Sequence, residues 1–162
     1  MARGTQGPPP LRPFGLVLHH DGSWTHEGQP IVNRRLRAAF DRGVCFLPGE
    51  GRDGEGVFAV RLGHFQGQIE VEEAAFFVRG FEPETGAISL SDGSVEPLDV
   101  ASLRSSPRDA ALLCRVKREL DPAGLLARFG LAAQAELLHA VEDAGEGPVL
   151  QIAGVPQRLP EL

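Results

Sequence analysis

The dipeptide Asp21-Gly22 sits between two strand-like runs in GLVLHHDGSWTHE. Asp-Gly is the strongest short-range signal for a β-hairpin, because both central positions of a type I′ turn need positive φ. A two-residue turn fixes the register: His20 pairs with Ser23, His19 with Trp24, Leu18 with Thr25 and Val17 with His26. Val17, His19, Trp24 and His26 are then expected on one face, and Leu16, Leu18, His20, Ser23, Thr25 and Glu27 on the other. The chain is committed to antiparallel sheet near its start.

The pattern that follows extends this to an α+β fold. After Gly28 and Pro30, Asn33 is a good N-cap for a helix RRLRAAFDR, with Leu36, Ala39 and Phe40 as a short apolar stripe and Gly43 as its stop. Arg34, Arg35 and Arg37 line the polar side. VCFLP leads into the loop GEGRDGEG, and GVFAVRLG and QIEVEE then alternate as a second hairpin, so the first half reads ββαββ. From residue 75, AFFVRGF, AISL and VEPLDV read as a meander joined by EPETG and SDG, and ALLCRVK as a further strand. Asp121 as N-cap and Pro122 at the first helical position predict a long helix through Leu126, Phe129, Ala133, Leu137 and Val141, kinked at Gly130. PVLQIAG is expected as a closing strand, with VPQRLPEL trailing off. The expected organisation is a flexible tail over 1–13, a first half over 14–73 and a second over 74–162, each with strands and one helix, which suggests internal duplication. At about 75 to 90 residues, neither half buries much core alone, so the two are expected to fold as a unit.

Charge narrows the partners. Sixteen basic residues against 22 acidic ones give a net charge of -6, the wrong sign for a chain whose main partner is a nucleic acid backbone or an anionic membrane surface. Fifteen of the sixteen are arginine and only Lys117 is lysine, a bias that a genome rich in G and C also produces alongside Ala, Gly and Pro. Nine Phe, one Trp and no Tyr make a poor stacking platform for single strands. No run of about 18 apolar residues exists to span a bilayer. The opening MARGTQGPPPLRP lacks the apolar core of a secretory signal, so the expected location is cytoplasmic. Cys45 and Cys114 lie far apart with no CxxC, which points to buried free thiols rather than a zinc cage or redox pair.

Few residues carry chemistry by pattern. The segment from Gly49 to Gly54 is formally GxGxxG, but it leads toward a strand, whereas a dinucleotide site needs a following helix whose N-terminus meets the phosphates. His19 and His26 on one hairpin face, with His64 from the second hairpin, form the best metal hypothesis, yet no HxH or HExxH spacing accompanies them and Trp24 beside them favours ordinary packing. Glu70 and Glu72 alternate with Ile69 and Val71, as a half-buried strand requires without any catalysis. There is no GxSxG elbow, so no catalytic set, metal site or cofactor is assigned. Arg34 and Arg35 sit in the first turn of a helix, where the free N–H groups and two guanidinium forks favour an anion, and they form the preferred local anion site.

LHHDGSWTHEGQPIVNRRLRAAF resembles a bacterial family known as domain of unknown function 1285, through Asp21, Gly22, Trp24, Gly28, Pro30, Ile31, Leu36 and Phe40. IEVEEAAF is similar to that family's I-x-V-E-D-A-P-F at Ile69, Val71, Glu72, Ala74 and Phe76, with Glu73 for Asp and Ala75 for Pro. The resemblance covers about residues 16 to 76 and is loose beyond. Two positions depart from the family's pattern: Asn33, flanked by Arg34 and Arg35, where an arginine is usual, and Arg61-Leu62-Gly63-His64 where the family carries T-P-V-E. The resemblance implies two strand-and-helix halves, the second superficially like a pleckstrin-homology domain, and a non-enzymatic role in signal transduction. In that role a small, nucleotide-like anion binds between the halves. The expected binding set is Arg34, Arg35, His19, Trp24, His26, Arg61 and His64. The alternative is a protein-interaction adaptor without a small ligand, and an enzyme ranks third.

Overall fold

A computed structural model describes residues 13–51 and 54–162. The expected flexible tail, apart from Pro13, and Arg52 and Asp53 of the glycine-rich loop lie outside the described residues. The first half contains β1 (Pro13–Leu18), β2 (Trp24–His26), β3 (Gln29–Pro30), α1 (Arg34–Gly43), β4 (Val44–Leu47), β5 (Val57–Leu62) and β6 (Phe65–Val71). The second contains β7 (Phe76–Glu82), β8 (Ala87–Leu90), β9 (Val95–Pro97), a 3-10 turn (Val100–Ser102), β10 (Arg104–Ser105), β11 (Leu112–Val116) and β12 (Leu125–Phe129). Then come α2 (Leu131–His139), β13 (Val141–Asp143), β14 (Pro148–Ile152) and β15 (Val155–Arg158).

The two halves share one topology. Each builds a six-stranded sheet from two three-stranded meanders, in the order β3-β2-β1-β6-β5-β4 and β9-β8-β7-β12-β11-β10. In each, the first strand of the first meander pairs in parallel with the last strand of the second: β1 with β6 and β7 with β12. A helical segment links the meanders in both cases, α1 in the first half and the 3-10 turn in the second. The fold is α+β with two similar halves, and β13-β14-β15 add a small third sheet. One cluster of buried apolar side chains runs through the whole molecule, from Leu16 to Ile152. Phe76 lies at the seam, edge-on to Phe58 of the first half with 6.4 Å between ring centroids.

Helix α1 forms as its sequence predicts. Asn33 caps it, its side-chain oxygen accepting from the Leu36 N–H at 3.0 Å, and Phe40 is buried against Trp24 at 5.4 Å between ring centroids.

The first hairpin, however, is shifted by one residue from the expected register. Leu18 pairs with Trp24, Val17 with Thr25 and Leu16 with His26. The turn is a three-residue loop: the Gly22 N–H donates to the His19 carbonyl at 3.0 Å, the His19 N–H donates to the Ser23 carbonyl at 2.9 Å, and only Gly22 has positive φ, at 89°. A one-residue shift exchanges faces, so Trp24 shares its face with Leu16 and Leu18 instead of Val17 and His19. All three are buried. Burying each large apolar side chain contributes about 1.5–3 kcal/mol, which outweighs a local preference for the tighter turn. The type I′ geometry appears instead at Ala153-Gly154, with φ of 53° and 76°, where it joins β14 to β15. The terminal segment expected to trail off is therefore a paired strand.

The expected long helix from Asp121 is also corrected. Leu125–Phe129 is strand β12, lying between β11 and β7, with Leu125, Ala127 and Phe129 buried. The Asp121 carboxylate accepts from the Ala123 N–H at 3.0 Å and closes a tight turn, and Gly124 at φ 77° interrupts any helix there. Helix α2 starts only after Gly130. Apolar residues at 126, 129, 133 and 137 fit a helical period across what is a strand-to-helix change. Two open edges, on β7 and β11, decide for strand because each has backbone groups that need a partner.

Candidate functional site

The α1 residues Arg34, Arg37, Ala38 and Asp41, spaced i, i+3, i+4 and i+7, share one helix face and line an open groove of about 560 Å³. The facing wall comes from the second half: Phe77 and Arg79 of β7, Ala111, Arg128 and Phe129 at the end of β12, and Gly130, Leu131 and Gln134 at the start of α2. Asp21 and Gly22 close one side, because the β1–β2 turn packs on Phe77; a Cβ on Gly22 would lie 3.5 Å from that ring. The volume falls in the range of small-molecule sites, and the lining combines arginines with the largely buried Phe77 and Phe129.

The four arginines differ in what they already hold. Arg79 donates to Asp41 at 2.9 Å, and the other Asp41 oxygen accepts from the Trp24 indole N–H at 2.8 Å. Arg128 forms a two-pronged pair with Asp109, at 3.1 and 2.6 Å, and lies 3.6 Å from Glu73. That guanidinium holds the Asp109 carboxyl below its ordinary value. Arg34 and Arg37 have no side-chain partner among the described residues, and Arg37 Nε is buried with none. The Ser23 hydroxyl and N–H lower the Asp21 carboxyl and keep it ionised at the rim.

Beside the groove, a carboxylate network ties the halves together. His19 Nδ1 lies 3.0 Å from Glu72, His20 Nδ1 contacts the other Glu72 oxygen, and Arg108 reaches Glu72 at 3.4 Å. The two imidazoles hold the Glu72 carboxyl down at about 2. Glu73 accepts from the Ser106 hydroxyl at 2.7 Å.

Of the seven side chains expected to bind, only Arg34 lines the groove. Arg35, one position on and so about 100° around the helix, is exposed and outside the lining. His19 is engaged by Glu72 and by Thr25 at 2.8 Å, and Trp24 is buried and reaches the groove only through Asp41. His26 is exposed on β2, Arg61 is exposed on β5, and His64 lies in the β5–β6 turn at the opposite end of β6 from Glu72. Among the described residues no group of three or more His, Cys, Asp or Glu could hold a metal ion. Arg37 and Phe129, expected only as a polar-face and a helix-stripe residue, and Arg79, Arg128, Phe77 and Gln134 are not among the side chains expected to bind. The spacing of Arg34, Arg37, Ala38 and Asp41 was a legible signal for one shared face, while the strand residues carried none.

No family model and no curated protein matches this chain. Among solved structures, a DUF1285 family protein from Silicibacter pomeroyi DSS-3 is similar over 93% of this chain and 81% of its own, with a TM-score of 0.59 at 18% identity. The chain resembles the DUF1285 family in fold. A second DUF1285 family protein, from Shewanella baltica OS155, is 15% identical over 77% of this chain and 91% of its own, with a TM-score of 0.49. Several of the DUF1285-like residues picked out in the sequence serve packing. Trp24 and Phe40 pack with their rings tilted by 50°, the Ile31 N–H donates to the Trp24 carbonyl at 2.9 Å, and Ile69, Ala74 and Phe76 are buried. Residues of that kind specify a fold rather than a ligand. Among the described residues no helix is long and apolar enough to cross a membrane.

Proposed function

We propose that this protein is a non-enzymatic regulatory module of the cytoplasm, acting in signal transduction by binding a small anionic, nucleotide-like ligand between two halves that divide near residue 74. The observation that supports this reading is the groove itself, walled by both halves, lined by four arginines and flanked by Phe77 and Phe129. A molecule of net charge -6 concentrates guanidinium groups there, against the sign of its overall field. A ligand gripping both walls stabilises the folded state and biases the relative placement of the halves, as a sensor requires.

Thermal shift against nucleotides, sugar phosphates and divalent metals tests the reading. A ligand at a hundred times its Kd adds about 2.7 kcal/mol of stability, or about 5–10 °C for a domain of this size. If no anion moves Tm even at millimolar concentration, the ligand-binding function is wrong, and capture of a protein partner becomes the reading to pursue.

A further inference from the structure

The groove's charges are not equivalent, and the difference selects a class of ligand; the argument rests on the binding function proposed above. Arg79 and Arg128 are already matched by Asp41 and Asp109. Arg34 and Arg37, one turn apart on α1, are matched by nothing among the described residues, and the buried Arg37 Nε is an unspent donor. A buried N–H without an acceptor is unfavourable, so Arg37 Nε favours an acceptor brought alongside it.

Two other features of the same groove point the same way. Its lining includes Gly130 and Leu131, the start of α2, a helix whose first turn has no side-chain cap and no acidic residue. Its free N–H groups and the positive end of its dipole add to the attraction for an anion. Two acidic groups share the lining, and Asp41 is four residues from Arg37. Asp41 lies seven residues along α1 from Arg34, about 10 Å by helical rise, and Asp21 sits on the β1–β2 turn. With Asp41 and Asp109 matching Arg79 and Arg128, Arg34 and Arg37 are the two guanidinium groups of the lining without a carboxylate partner among the described residues.

We infer that Arg34 and Arg37 hold the terminal oxyanion of a dianionic ligand, a phosphate monoester, whose planar portion lies toward Phe77 and Phe129. Two free guanidinium groups balance two negative charges. A triphosphate brings about two further charges, and these meet Asp41, Asp21 and a field of net -6 with no unpaired arginine left to offset them.

Isothermal titration with adenosine 5′-monophosphate, adenosine 5′-triphosphate and inorganic phosphate tests this on the intact chain. The monophosphate is expected to bind more tightly than the triphosphate by about tenfold, and more tightly than inorganic phosphate, which lacks the ring. Arg34→Gln and Arg37→Gln are each expected to weaken the monophosphate about tenfold or more, while Arg35→Gln leaves it unchanged; unaltered apo Tm and circular dichroism establish that each variant folds. Tighter triphosphate binding, or monophosphate binding indifferent to both substitutions, overturns the inference. In those cases an anion still binds and the proposed function stands. If none of the three probes binds and none of the wider panel shifts Tm, the function falls together with it.

Discussion

Asp41 occupies a point where core and groove meet, and its replacement by alanine separates the two contributions. One of its oxygens accepts from the Trp24 indole N–H at 2.8 Å, and Trp24 is only 1% exposed, so the loss strands a buried donor. A hydrogen bond to a charged acceptor contributes about 1.5–3 kcal/mol, and an orphaned buried donor costs about 1–3 kcal/mol. The other oxygen pairs with Arg79, whose side chain is 57% exposed, and such a pair contributes about 0–1 kcal/mol. Asp41→Ala is therefore expected to cost about 2–3 kcal/mol, Arg79→Ala under about 1 kcal/mol, and Asp41→Asn, which keeps an acceptor, an intermediate amount. Urea unfolding followed by far-ultraviolet circular dichroism measures all three. Trp24 is the only Trp in a chain without Tyr, so intrinsic fluorescence independently reports exposure of this indole. In a Trp24→Phe background, which has no indole donor, Asp41→Ala should cost less than about 1 kcal/mol. An equal cost in both backgrounds, or Arg79→Ala as damaging as Asp41→Ala, would refute the claim that the aspartate works chiefly through the tryptophan.

Three further outcomes follow from the same physical chemistry. Glu72, held at about 2 against an ordinary 4.5, binds fewer protons folded than unfolded, so its stabilisation is full above pH 4.5 and is lost as pH falls toward 2. Glu72→Gln should thus lower the urea midpoint at pH 6 and converge on the parent protein near pH 2. Lys117, the sole lysine, is buried with its ammonium 2.7 Å from Asp92 and 3.0 Å from the Ser94 hydroxyl; Lys117→Met should cost about 3 kcal/mol in urea titration because a largely buried carboxylate loses its partner. Burial pushes the Cys114 thiol up to about 12, while half-buried Cys45 is raised less. Iodoacetamide at pH 8, followed by peptide mass spectrometry, should modify Cys45 first and reach Cys114 only when the protein unfolds.

The local elements were legible wherever one short-range signal stood unopposed. Asn33 before RRLRAAF made a capped helix, and the alternation in GVFAVRLG and QIEVEE made a hairpin, because capping and side-chain period are properties of neighbouring residues. Local rules failed where distant partners competed. LLARF fitted a helical stripe but became a strand to satisfy two sheet edges, and Asp21-Gly22 gave up the two-residue turn so that Trp24 could join Leu16 and Leu18 in the core.

The sequence by itself determined the class of fold, the hairpins and capped helix of the first half, and the packing residues that make the resemblance to DUF1285 proteins visible. Tertiary structure alone decided the groove. Arg34 and Arg37 on α1 come to face Arg79 on β7 and Arg128 on β12, residues up to 94 positions apart in the chain, only after two meander pairs close their parallel seams and dock on Phe76. Which arginines are neutralised depends in turn on aspartates delivered by other segments, Asp41 from α1 and Asp109 from the loop before β11. Charge pairing acts over a few ångströms in space and is indifferent to separation along the chain, so composition showed an arginine-rich chain and only the folded arrangement showed which two remain free.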